Sequence, residues 1–189
     1  MKVFVTSNQQ FGRQNAIKAY KRPFPSVEEM NFNLIKEWNS VVSKEDRVYV
    51  LGNFAWDPET AEQVVNQLNG DIIVIPGEHD KAMEELDSMH NTLENVEFGA
   101  FDVEYVQEIG ASISYWPLSE WPLKSKGIPS VIGYPGNKYK TDHKKNIINC
   151  NCDLWDYKPI EISKILSLFK DKDINNFILG KYFAKSFSV

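Results

Sequence analysis

IIVIPGEHD, residues 72–80, is a short β-branched run that ends at a Pro-Gly turn and passes at once into three ionisable residues. A bounded run of this kind suits a strand covered on both faces. Pro76-Gly77 then turns the chain, and Gly77 permits backbone angles or close approaches that a Cβ would forbid. Glu78, His79 and Asp80 therefore stand at the carboxyl end of a strand, where α/β folds commonly present their chemistry. On this stretch alone they either carry function or simply solvate a loop.

Two other strands end in the same manner. Lys2–Ser7 (KVFVTS) runs into Asn8-Gln9-Gln10-Phe11-Gly12-Arg13, and Arg47–Leu51 (RVYVL) runs into Gly52-Asn53-Phe54. Together with GEHD these segments resemble the first three motifs of the calcineurin-like metallophosphoesterases, D-x-H, G-D and G-N-H-D. Further segments follow in family order: Arg22-Pro23-Phe24, a helix around Met30–Val42, Ile113–Leu118 (ISYWPL against S-H-Y-P-L), Gly133–Asn137 (against G-H-x-H-G) and Cys152–Pro159 (CDLWDYKP). The resemblance covers roughly residues 1 to 165. It implies an α/β fold, a metallophosphoesterase-like β-sandwich of two mixed sheets flanked by helices.

The same resemblance marks what the chain has lost. The family holds two metal ions with Asp, His, Asp, Asn and three further His. At the matching positions stand Asn8, Gln10, Asn53, Glu78, Tyr115, Tyr134 and Gly136, so each ligand is replaced. Only His79 and Asp80, the non-ligand half of the third motif, remain. Two divalent ions need carboxylates to balance their charge and imidazoles to fix their geometry. Asn and Gln offer neutral amide oxygens, Tyr a phenol with an ordinary pKa of about 10, and Gly nothing. Neither a metal pair nor another cofactor is expected; the alternative is a single cation at Glu78 and Asp80.

His79 matches the family's phosphate-contacting histidine, and Arg13 stands where many relatives have another histidine. The pair suggests an anion clamp. Tyr115, Tyr134 and Trp116 suggest a former cleft refilled with aromatic surface, and Tyr115, Trp116 and Trp121 beside it are candidates for a partner surface, since aromatics and Arg dominate protein-binding patches. The competing reading is that they plug a void. The resemblance thus implies a catalytically inactive homologue that acts by binding, most simply a regulator or inhibitor of another protein. A retromer subunit and the small subunits of replicative DNA polymerases are similar metal-depleted scaffolds. The alternatives are a nucleotide or phosphate-ligand binder using the old pocket, and a residual single-metal phosphodiesterase.

Composition sets the outer bounds. The 189 residues suit one α/β domain. A net charge of −5 argues against a nucleic-acid partner. No apolar run reaches the roughly 18 residues of a membrane span, and MKVFVTS reads as a strand rather than a signal peptide. Cys150 and Cys152 are read as alternating along one buried strand, Ile147–Asp153, pointing the same way; a disulfide there is geometrically poor, which suggests a reducing cytoplasm. Lysine outnumbers arginine and asparagine is abundant, a bias of AT-rich bacterial or phage genomes.

Local signals place the remaining elements. Ser26 and Glu29 form a capping box before a helix with Val27, Met30, Leu34, Trp38 and Val41 on one face. Asp57-Pro58 starts a second helix, with Ala61, Val64, Val65 and Leu68 inward and a stop at Asn69-Gly70. Val96–Val106 is read as opening a second set of strands, Ser119–Pro129 as a loop, and Glu161–Lys170 as the closing helix of a domain spanning 1–170. Residues 171–189 form an extension that either packs back or docks a partner, with Ile174, Phe177, Ile178, Tyr182, Phe183 and Phe187 as its apolar and aromatic residues.

Overall fold

Three parallel strands supply the framework that the apolar runs announce: β1 (Val3–Thr6), β2 (Arg47–Leu51) and β3 (Asp71–Ile75). The structure is a computed structural model and describes residues 1–80, 95–99, 102–135, 141–142 and 145–167. Strand β2 pairs with β1 on one side and β3 on the other, both in parallel. The connections are helical: α1 (Gln14–Tyr20) and α2 (Val27–Asn39) lead from β1 to β2, and α3 (Pro58–Val65) leads from β2 to β3. β4 (Val96–Phe98) adds a further parallel strand beside β3.

A second sheet follows, built from β5 (Val103–Val106), β6 (Ala111–Ser114), β7 (Ser130–Ile132) and β8 (Ile147–Asn149). β5 and β6 are antiparallel; β6, β7 and β8 are parallel. The chain then returns to the first sheet, where β9 (Ile160–Glu161) lies antiparallel to β1 before helix α4 (Ile162–Ser167). The first sheet is thus ordered β4-β3-β2-β1-β9 and the second β5-β6-β7-β8, both mixed in direction.

Alternation along the central strands explains why the runs are apolar throughout. Val48 and Val50 of β2 face Met30, Leu34, Trp38, Val64 and Val65 of the helices. Tyr49 and Leu51 of the same strand face Ile113, Val131 and Ile148 of the second sheet. Side chains at successive positions point to opposite faces, so a strand between two layers must be apolar at every residue.

The helix starts agree with the caps read from the sequence. Ser26 Oγ accepts from the Glu29 N–H at 3.2 Å, and Asp57 Oδ1 accepts from the Thr60 N–H at 2.8 Å. Other expectations need correction. α3 ends at Val65, ahead of Asn69-Gly70, although Leu68 is still buried. Val41 lies beyond the end of α2 and is exposed, and Val42 takes the core position. Val96–Phe98 completes the first sheet, so the second begins only at β5. The expected loop 119–129 contains a 3-10 turn, Lys124–Lys126. The expected closing helix begins at Ile162 and is described to Ser167; the extension from 171 lies outside the described residues. No helix among the described residues is long and apolar enough to cross a membrane.

The cysteines also depart from expectation. β8 stops at Asn149, and Asn151 caps a 3-10 turn, Cys152–Leu154, so the two do not share a face. Cys150 sits between the sheets, and Cys152 in the helix-side core. Both are free, buried thiols, and burial pushes Cys150 up to about 12 from its ordinary 9.0. Cys152 is raised as well, chiefly by burial. Because the folded pKa exceeds the unfolded one, this contribution to stability is intact below about pH 9 and is lost as pH rises toward 12. We predict that neither thiol reacts with Ellman's reagent in the folded protein at pH 8, that both react in guanidinium, and that Cys150→Ala flattens the alkaline loss of stability measured by denaturant titration.

Candidate functional site

When β1, β2 and β3 end, their loops run against one another, and each must satisfy its backbone groups without water. The Asn8 N–H donates to the Gly52 carbonyl at 2.9 Å, Gln10 N–H to the Asn53 carbonyl at 3.0 Å, and Phe11 N–H to the Phe54 carbonyl at 2.9 Å. Asn8, Gln10 and Asn53 adopt φ of 59°, 53° and 58°, the left-handed region that asparagine tolerates better than most residues. Gly77 has its role by close approach: a Cβ there would lie 2.8 Å from Gly52 Cα and 2.9 Å from Tyr115 Cδ2.

Two buried ions fasten these loops. Arg22 donates to the Asn8 carbonyl at 2.6 Å and the Gln9 carbonyl at 2.7 Å, and binds both oxygens of Asp153 at 2.8 and 3.1 Å. Burial works against its charge, but Cys152, Asp153 and Tyr157 together hold it above its ordinary pKa. Asp80 accepts from three backbone N–H groups: Phe54 at 2.7 Å, Gly77 at 2.6 Å and Asn53 at 2.5 Å. Burial pushes its carboxyl upward, while these donors and His79 pull the other way.

At the centre lies a network of neutral groups. Asn53 Nδ2 donates to Asn8 Oδ1 at 2.9 Å and to the Tyr115 hydroxyl at 3.0 Å. Asn8 Nδ2 donates to Ser7 Oγ at 3.0 Å and to the Gly133 carbonyl. Asn53 Oδ1 accepts the His79 N–H at 3.0 Å. The ends of β1, β2, β3, β6 and β7 are thereby joined through two carboxamides and a phenol. Burial raises the Tyr115 phenol to about 12, so it stays protonated at neutral pH.

Beside this network a second group gathers at the surface. Arg13 donates to Gln10 Oε1 at 2.7 Å and stacks over the Trp56 ring at 4.5 Å. His79 meets the edge of Trp56 at 5.9 Å between ring centroids. Gln10, Arg13, Asn53, Ala55, Trp56 and His79 line a cleft of about 140 Å³. Arg13 and His79, expected as a pair, are brought together across Trp56. Trp56 itself was not foreseen, because a lone tryptophan between an alanine and an aspartate carries no pattern.

The aromatic expectations divide. Tyr115 is 1% exposed, so it belongs to the interior network and not to a partner surface. Trp121 is 9% exposed and donates Nε1 to the Ile128 carbonyl at 2.8 Å, so it packs the 119–129 segment. Trp116, at 45% exposed, is the surface member, and it lies 5.6 Å from the half-buried Tyr134 ring. Glu78 is exposed. Gly136, Phe177, Tyr182 and Phe183 lie outside the described residues. Among the described residues no cluster of three or more His, Cys, Asp or Glu could hold a metal ion.

No family model matches the chain. An uncharacterized protein of Methanocaldococcus jannaschii is 29% identical over 177 residues, which cover 89% of this chain and 92% of that one. The crystal structure of a protein of unknown function from Aquifex aeolicus superposes with a TM-score of 0.66 at 20% identity, over 88% of this chain and 98% of that one. It shows the same α/β fold. A phosphopantetheinyl hydrolase from Mycobacterium tuberculosis gives a TM-score of 0.35 at 12% identity, over 83% of this chain and 79% of that one, and carries no argument.

The network makes a mutational prediction. Asn53→Asp replaces the donor facing Asn8 Oδ1 with a carboxylate oxygen and sets two acceptors against each other. The variant should lose about 1–3 kcal/mol at neutral pH in urea unfolding. The new carboxyl is disfavoured in its charged form, so its folded pKa is raised and the loss should grow as pH rises from 4 to 7. Unchanged stability across that range would mean the network is not formed.

Proposed function

We propose that the chain is a metal-ligand-depleted homologue of the calcineurin-like metallophosphoesterases, with that family's sandwich, and that it works by binding another protein rather than by hydrolysis. The observation that carries this reading is the central network. Asn8, Asn53 and Tyr115, each at a position where the resemblance places a metal ligand, satisfy one another as neutral groups. A neutral amide oxygen that already accepts a hydrogen bond is a weak ligand that balances no charge, and a protonated phenol carries no charge to balance a cation either. The single-cation alternative fares no better, because both Asp80 oxygens accept from backbone N–H groups.

The partner surface is then the exposed Trp116 with the half-buried Tyr134 beside it, at the rim of this centre. Aromatic anchors of this kind supply much of the energy of protein interfaces.

Two results are expected. Elemental analysis of the purified protein finds no stoichiometric transition metal, and generic phosphodiesters are not hydrolysed with manganese added. Asn8→Asp, Gln10→His and Asn53→Asp together do not restore turnover, because Tyr115, Tyr134 and Gly136 still lack the remaining imidazoles. Two manganese ions per chain with metal-dependent turnover would overturn the reading.

The aromatic residues should separate by role. Trp116→Ala leaves stability nearly unchanged but weakens a partner purified from the native source by about 2 kcal/mol or more. Trp121→Ala costs about 3–5 kcal/mol of stability instead. Unfolding titrations and calorimetry on both variants check this. Equal affinity for that partner in wild type and Trp116→Ala would remove the aromatic rim from the function.

A further inference from the structure

At its β9 end the first sheet lacks the helical cover it has elsewhere. α1, α2 and α3 are the crossovers of β1 to β3, and none of them serves β9, a two-residue strand at the edge of the sheet. A groove of about 580 Å³ stands there, a size that ligand sites commonly have. Phe4, which packs on the helix side of the sheet, lies at its floor. Val41, just past the end of α2, and Leu154 give it apolar walls. They are 37% and 38% exposed, so two large apolar side chains meet water at one concave place.

The rim is basic. Lys2, Lys158 and Lys164 line the groove against Asp156 and Glu161, in a chain whose acids outnumber its bases by 26 to 21. Glu161 holds Lys2 at 3.0 Å, Glu37 of α2 holds Lys158 at 3.2 Å, and Lys164 lies over the Trp155 ring at 5.4 Å. The Lys2 and Lys158 side chains remain 60% and 43% exposed. Exposed pairs of this kind contribute little to stability, and an ammonium has three N–H groups to offer. The pairs thus position the lysines and leave donors for a further acid.

We infer that this groove is an interaction surface for an acidic amphipathic segment of a partner protein, its apolar side chains between Val41 and Leu154 and its carboxylates on the lysines. Apolar walls inside a charged rim are the arrangement of protein interfaces, and matched charges across the rim select the partner. Other occupants fit less well. Residues 171–189 carry Lys172, Lys181 and Lys185 against Asp171 and Asp173, the wrong sign for this rim. A bilayer is flat where the groove is concave, and a net charge of −5 opposes an anionic surface. The assignment rests on the reading that the chain works by binding protein, yet the groove shares no residue with the central network or the Trp116 rim.

The probe is a synthetic helical peptide with leucine along one face and glutamate on the other, titrated calorimetrically into the full chain. It should bind saturably, and more weakly as salt rises. The same peptide with lysine for glutamate, or with serine for leucine, should not bind. Lys158→Glu, Lys164→Glu and Leu154→Ser should each weaken the glutamate peptide about tenfold or more. All three side chains reach the surface, so the substitutions leave the core untouched. Trp116→Ala should bind the peptide as wild type does. No saturable binding, equal binding of the lysine peptide, or affinity unchanged in Leu154→Ser and Lys164→Glu overturns the inference. Affinity lost in Trp116→Ala but kept in Leu154→Ser moves the contact to the aromatic rim and removes the groove. Binding to phosphatidylserine vesicles without binding to the peptide makes the surface a membrane contact and overturns it as well. Metal analysis and the Trp116 partner assay test the underlying reading separately, so either can fail alone.

Discussion

Loops that leave a sheet in the interior must satisfy their own N–H and carbonyl groups, because no water is there to do it. Everything at the carboxyl edge of the first sheet follows from that constraint. Asp80 collects three N–H groups from the β2 and β3 loops, and Arg22 collects two carbonyls from the β1 loop while paired to Asp153. One ion of each sign is therefore spent on backbone, and both are more than nine-tenths buried. Removing either would leave loop groups or a charge without a partner, which is far costlier than the net worth of the contact. With the loops held, Asn8 and Asn53 are placed in left-handed conformations with their amides facing each other, and the neutral network forms.

Two carboxamides and a phenol link the ends of β1 and β2 in one sheet to those of β6 and β7 in the other. Such a junction of hydrogen-bonded neutral side chains ties the two sheets together at this edge. Around it lie the Gln10–Arg13–Trp56–His79 cleft and the Trp116–Tyr134 pair.

The elements were legible in the sequence wherever a local physical signal existed. The runs at Val3, Arg47 and Ile72 read as buried strands because both faces are covered, and Ser26 and Asp57 announced their helices by capping chemistry. Val96–Phe98 was assigned to the wrong sheet because three partly exposed residues carry no period. Cys150 and Cys152 were placed on one face because nothing local marks the turn at Asn151. Trp116 and Trp121 share a Pro-rich context, and only packing against Ile128 distinguishes the buried ring from the exposed one. Trp56 was beyond reach for a further reason: its meaning lies in contacts across the chain, with Arg13 and His79, that no spacing encodes.

The claim that neutral side chains occupy the centre is tested most directly by NMR of the Asn8 and Asn53 side-chain amides with Mn²⁺ added. A paramagnetic ion at the centre would broaden both at once. The structure predicts slowly exchanging amide protons, buried and hydrogen-bonded, whose signals keep their intensity at one equivalent of Mn²⁺. Loss of both signals at that concentration, with signals elsewhere intact, would place a cation among these residues and contradict the account.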